Sequence, residues 1–329
     1  MPCCGGHLRM LKSKIQPFLF ASLPAFCFAS SGWVPDVSKE GYFGSIDLNP
    51  YVGVLFGMNR EFVFNKTDPT SHYKESQLDW KVSNLSVLGW KFQLSCIADR
   101  LHFFYNGWAY LNSKISTMVD RDWSNSAQKG PTDFSWTGAA LTKAFKLMGE
   151  IDYDFYAAFF NCHDLKFGLL MGYQFLDLHW DDHAGGTYSY DNGTSQGTTA
   201  PGDATIFFEQ QFSIPYLGLQ INLLEKKCWG LRSFGKYSWF TSAKDLDLHS
   251  GTGEFSVDKY GGNWWAVGAD LHWYFWKELG FNLTYTFEKM GLTKGSAKDS
   301  GSDGTFYTSA ASGISYYQNE FTFGFKASF

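Results

Sequence analysis

The chain has 329 residues, of which 32 are Phe, 18 Tyr and 13 Trp, so that aromatics reach 19% while charged residues make up only 18%. A soluble domain of this size usually carries nearer a quarter charged residues, and a formal net charge of −5 with no basic cluster argues against nucleic acid as a partner. Mean hydropathy is −0.23 and no run of about 18 apolar residues follows the N-terminus, which excludes a helical membrane protein.

Residues 1–30 read as a secretory signal, cleaved in the mature protein. Arg9, Lys12 and Lys14 form a basic start, and Met10 offers an alternative initiation point. Ile15 to Phe28 forms an apolar core broken by prolines and serines, and Ala29-Ser30-Ser31 supplies small residues for cleavage. Removing this segment takes three basic residues and no acidic ones, which leaves 24 basic against 32 acidic and a net charge of −8. Of six cysteines, Cys3, Cys4 and Cys27 lie in or before the signal, and Cys96, Cys162 and Cys228 remain. An odd number leaves at least one thiol outside any intrachain pair. Their scatter fits no C-x-x-C metal site, and no metal is expected.

From about residue 42 to the end, side chains alternate apolar and polar with a period of two, the mark of strands. Ile46, Leu48, Val52, Val54 and Phe56 alternate with Ser45, Asp47, Asn49 and Gly53. The same rhythm runs through Ile151–Phe159, Trp265–Phe275 and Phe281–Phe287, and the chain ends on Phe321, Phe323, Phe325, Ala327 and Phe329. A soluble sandwich also alternates. Here the apolar partners are Phe, Tyr, Trp and Leu on strand after strand, too bulky to interdigitate in one core about 10 Å thick. They suit an outer wall in lipid and a polar lumen.

The connections alternate in length as well. Short turns fall near residues 97–99, 161–163, 225–227 and 277–278, and Gly/Ser/Thr/Asp-rich loops near 65–75, 120–138, 184–203, 245–262 and 291–313. Four short turns and five long loops join ten strands. The expected fold is all-β, a ten-stranded antiparallel transmembrane barrel over residues 31–329, with periplasmic turns on one rim and extracellular loops on the other. The three mature cysteines then fall at or near the short-turn rim.

Two polar sets stand out against this background. Asp120 and Asp122 lie at the top of the third strand, entering the second long loop. Asp245, Asp247 and His249 lie at the top of the seventh, entering the fourth. Residues at i, i+2 and i+4 share one face of an extended chain. Strands three and seven of a ten-stranded ring sit nearly opposite, so both sets face one cleft at the extracellular mouth. His249 would take a proton from a water held by Asp120 or Asp122, and Asp247 would orient His249 and stabilise its charged form. The plainer reading is that acidic pairs at a barrel mouth bind cations or solvate the rim. A non-catalytic adhesin or a small pore stays open as an alternative on these residues alone.

The chain resembles the omptins, outer-membrane barrel endoproteases of Gram-negative bacteria. The resemblance rests on Ser76–Lys81, Met118–Trp123, Gly172-Tyr173-Gln174, Pro215–Leu219, Lys236-Tyr237-Ser238 and Gly313-Ile314, collinear stretches spanning roughly residues 44–329. It implies that Asp120/Asp122 and Asp247/His249 activate a water across the cleft. It also implies cleavage beside Lys or Arg, often between two of them, with Glu61 and Asp245 holding the basic side chain. The family requires lipopolysaccharide and binds its phosphates through basic residues on the outer wall. The two basic positions carry Asp177 and Gln211, and an acidic position of the family beside them carries Phe175. That departure leaves three outcomes open: no lipid requirement, a different lipid, or no activity. No other cofactor is expected.

Overall fold

The computed structural model describes residues 43–64, 73–97, 100–112, 115–124, 130–160, 163–182, 187–190, 195–198, 206–225, 229–249, 254–276, 278–301 and 304–329. The signal segment, Cys162 and Cys228 lie outside the described residues, and Cys96 is buried at the end of a strand.

In chain order the strands are β1 (Phe43–Phe64), β2 (Lys74–Cys96), β3 (Leu101–Tyr110), β4 (Ile115–Asp122), β5 (Asp133–Phe160), β6 (His163–Asp182), β7 (Thr187–Tyr190), β8 (Ser195–Thr198), β9 (Ile206–Glu225), β10 (Trp229–His249), β11 (Glu254–Trp276), β12 (Leu279–Gly301) and β13 (Gly304–Ser328). All pair antiparallel. β1 pairs with both β2 and β13, so the barrel sheet closes on itself. β3 and β4 are two pieces of one stave, each lying between β2 and β5. Counting them once, and setting aside the small β7–β8 hairpin that leans on β5, gives ten barrel staves. The closure is pinned at the chain's end, where the Phe329 N–H donates to the Ile46 carbonyl at 2.9 Å and the Ile46 N–H donates back at 3.1 Å.

Where the four short turns are expected, β2 and β3, β5 and β6, β9 and β10, and β11 and β12 are paired antiparallel neighbours that lie close together in sequence. The long loops differ from expectation. Most of residues 245–262 and 291–313, and residues 120–122 and 133–138, form paired strands that rise as hairpins above the apolar band. Their Gly, Ser, Thr and Asp content signals turns when read locally. Above the bilayer neither face of a strand needs to be apolar, so the alternation fades while the hydrogen-bond ladder continues.

The outer wall carries the bulky apolar residues: Leu88, Trp90, Ile151, Leu169, Leu219, Leu283, Phe323 and Phe325 all face outward and are exposed. The lumen inverts this pattern and buries charge. Arg232 bridges Asp152 at 2.7 Å and also Glu150, which Lys236 meets at 2.5 Å. Lys146 pairs with Glu320, Lys91 with Asp270 at 3.1 Å, and Lys326 with Asp47 at 2.9 Å. A buried ion is tolerable only when paired and hydrogen-bonded, and these acids each have a base. Arg232, Lys236 and the Lys146–Glu320, Lys91–Asp270 and Lys326–Asp47 pairs line a cavity of about 750 Å³ in the lumen.

Above that cavity an aromatic layer crosses the bore. Trp80 of β2 stacks on Phe208 of β9, with ring centroids 4.7 Å apart and planes 7° from parallel. Trp180 of β6 packs against both rings. All three side chains are fully buried. Such ring pairs contribute roughly 0.5–1.5 kcal/mol each beyond their area. They also join walls that are distant around the ring, and this fixes the floor of the mouth.

Candidate active site

The site stands on that floor. Antiparallel partners point to the same face, so register shows what shares the bore. Asp120 of β4 is paired with Leu78 of β2, which is in turn paired with Glu61 of β1. Asp122 is paired with Ser76. On the far wall Asp247 of β10 is paired with Phe208, Asp245 with Gln210 and His249 with Ile206. Trp80 lies two residues from Leu78 on the same face, and it stacks on Phe208 beside Asp247. The two walls therefore meet just beneath the two acidic sets. A second link crosses the bore where Asn59 Nδ2 donates to Gln210 Oε1 at 2.6 Å. Asn59 is two residues from Glu61, and Gln210 is the partner of Asp245, so Glu61 and Asp245 share the same floor.

All six expected site residues line this mouth. His249 Nε2 lies 3.1 Å from Asp247 Oδ2, the orienting contact that the D-x-H spacing predicts. With Nε2–H donating to that carboxylate, the basic lone pair sits on Nδ1. The His249 side chain is 46% exposed, open to the mouth, while Asp247 is buried and its Oδ1 meets no donor among the described residues. Asp245 and Glu61 are buried too, at 1% and 3% exposure. Tyr260 of β11 donates its hydroxyl to Asp245 Oδ2 at 2.9 Å, which holds that carboxylate in place.

On the near wall the Ser76 hydroxyl donates to Asp120 Oδ1 at 3.2 Å. Burial pushes the Asp120 carboxyl up to about 7, and the neighbouring Asp122 charge adds to the rise. The Ser76 hydrogen bond opposes it, and the charge of Asp247 on the opposite wall contributes a further increase. That last effect requires the walls to be close enough for one carboxylate to feel the other. Burial raises Asp122 as well, with the Ser76 hydroxyl acting against it and the Asp133 charge with it. Near neutral pH the pair can therefore hold a proton, as crowded carboxylates do.

Ser76, Tyr260 and the Asn59–Gln210 bridge were not assigned roles by the sequence. Ser76 stands in one of the family-like stretches, but its partner is 44 residues away and no spacing rule reveals it. Asp177 and Gln211, at the family's basic positions, are register partners on the outer face of β6 and β9.

Closed strands with a bulky apolar outer belt and a charged lumen define a class: an outer-membrane β-barrel. Comparison with known proteins narrows this. The family model described as Omptin family matches residues 43–329, and the chain belongs to that family. It is similar to the outer membrane protease IcsP of Shigella flexneri, 30% identical over 286 residues that cover 81% of this chain and 85% of that protein. It is also similar to the plasminogen activator of Yersinia pestis, 32% identical over 230 residues that cover 67% of each chain. The fold matches the crystal structure of the outer membrane protease OmpT from Escherichia coli, with a TM-score of 0.79 and 22% identity over 89% of this chain and all of that one. The chain is a protease of the bacterial outer membrane.

Proposed function

We propose that the protein cleaves exposed peptides beside Lys or Arg, using a water activated between the two walls of the extracellular mouth. His249 takes the proton of that water, and the water oxygen attacks the peptide carbonyl carbon. Asp247 holds the imidazole and stabilises the imidazolium that forms. Asp120 and Asp122 hold the water, and their shared proton is available to the developing oxyanion. The proton on His249 then passes to the leaving amine as the carbon–nitrogen bond breaks. Glu61 and Asp245, buried on one floor, receive the basic side chain, since a guanidinium or ammonium is a matched partner for two carboxylates.

The observation that carries this reading is the meeting of the two walls beneath the acidic sets, where Trp80 stacks on Phe208, the register partner of Asp247, and Asn59 bonds Gln210, the partner of Asp245. The test is hydrolysis of dibasic peptides by the purified barrel, with matched peptides in which the basic residues are replaced by Gln. The reading expects cleavage of the dibasic peptides alone. Equal cleavage of both sets removes the basic specificity, and no cleavage of either, with or without lipopolysaccharide, removes the mechanism. The two lipid arms also decide whether Asp177 and Gln211 have released this barrel from the family's lipid requirement.

A further inference from the structure

We propose that Asp177, His179 and Glu209 form a binding site for a divalent transition-metal ion on the outer wall, with Lys143 as its built-in competitor. The site is separate from the mouth. Asp177 and His179 are two residues apart on β6 and share its outward face. Glu209 of β9 is the register partner of His179 on one side, and Lys143 of β5 on the other.

The three potential ligands converge. His179 Nε2 is 3.1 Å from Asp177 Oδ1 and 3.7 Å from Glu209 Oε1, and one ligand atom from each residue lies within 4.8 Å of the others. Bonds of about 2.0–2.2 Å from nitrogen and carboxylate oxygen to one ion need only small side-chain movements from this arrangement. Gln211 Nε2 donates to Glu209 Oε1 at 2.6 Å and fixes that carboxylate's orientation, as outer-shell partners do for metal ligands.

A cation already occupies the point of convergence. Lys143 Nζ is 2.7 Å from Asp177 Oδ2 and 3.2 Å from His179 Nε2. An ammonium can only donate, so in the tautomer with Nε2 bare the imidazole offers Lys143 the lone pair a metal would take, and in the other tautomer Nε2–H donates to Asp177 Oδ1. Asp177 is nearly fully buried, whereas the Lys143 side chain is 48% exposed on a flexible stem. Lys143 thus reaches the buried carboxylate from its exposed side, and a divalent ion carrying twice its charge competes for the same oxygens. One imidazole with two carboxylates suits Zn²⁺ and its first-row neighbours better than Mg²⁺ or Ca²⁺, which favour all-oxygen shells. The cysteine spacing could not suggest this site, because its ligands come from separate strands and none is a cysteine.

The experiment uses the full mature chain in detergent, stripped with chelator and titrated with Zn²⁺ by calorimetry, with Co²⁺ absorption as a second readout. One Zn²⁺ binds per chain. His179→Ala weakens binding at least tenfold, and Lys143→Met tightens it about tenfold by removing the competitor. His249→Ala leaves it unchanged, which separates this site from the mouth. Unchanged melting by circular dichroism shows that each variant is folded. Should His179→Ala bind like the parent, or Lys143→Met fail to bind more tightly, the proposal is overturned. Displacement of Zn²⁺ by equimolar Mg²⁺ overturns the metal class.

Discussion

The lumen and the mouth of this barrel both bury acids, yet they treat them in opposite ways. In the lumen Glu150 and Asp152 meet Arg232, Glu320 meets Lys146, Asp270 meets Lys91 and Asp47 meets Lys326. At the mouth Asp120 faces a serine hydroxyl and two further carboxylates, and Asp122 faces Asp133. Matched charge holds walls together and has nothing left to offer. Crowded acid retains affinity for a proton or for a cation arriving from outside, and the proposed cleavage beside basic residues draws on both.

The sharpest way to break this comparison is to remove the reactive groups. Asp120→Ala, Asp122→Ala and His249→Ala each should lower kcat/KM for a dibasic peptide by roughly 10²–10⁴-fold, with unfolding in detergent little changed. Variants that cut like the parent would sink the assignment. The converse experiment is in the lumen. Arg232→Met takes the base from Asp152 and leaves Glu150 with Lys236 alone, and it should cost about 3–5 kcal/mol of stability, read as a lower denaturant midpoint, while the folded fraction keeps its kcat/KM. A rate loss as large as that of His249→Ala would mean the two regions are not separable.

Glu61→Gln sharpens the comparison further. It removes one charge from the proposed basic pocket and keeps its shape. Losing a charge-assisted hydrogen bond worth about 1.5–3 kcal/mol should lower kcat/KM for Lys and Arg peptides by roughly 10–100-fold and narrow their advantage over Gln peptides. An unchanged preference would place the pocket elsewhere. The smallest effect is on stability. Because the folded Asp120 carboxyl lies near 7 rather than at its ordinary 3.8, its ionisation opposes folding as pH rises through that interval. Asp120→Asn should therefore melt higher than the parent above pH 7 and lose that advantage below about pH 4, where both states of the parent are protonated. A difference that does not vary with pH would contradict the crowding.

Much of this was legible in the sequence, and the exceptions have physical causes. Alternation such as Trp265, Val267, Ala269 and Leu271 gave the strand period and the direction of the apolar face, because lipid demands bulk on every second residue. The D-x-D and D-x-H spacings marked the two polar sets for which a reactive role is proposed, because a two-residue step on a strand returns to the same face. The hairpins of β10–β11 and β12–β13 were read as loops, since outside the bilayer the same ladder runs through polar residues on both faces. The division of one stave into β3 and β4 left no local mark. Ser76, Tyr260 and Asn59 acquire their roles from partners on other strands, and closure of the ring, not spacing, brings those pairs together.

The stack of Trp80 on Phe208 has a consequence for the cell. On the proposed function this floor turns an entering peptide back, and both fragments leave by the way they came. Hydrolysis then takes place in the bacterium's surroundings without opening a leak through its envelope, and no measurable current should cross a planar bilayer holding the intact barrel.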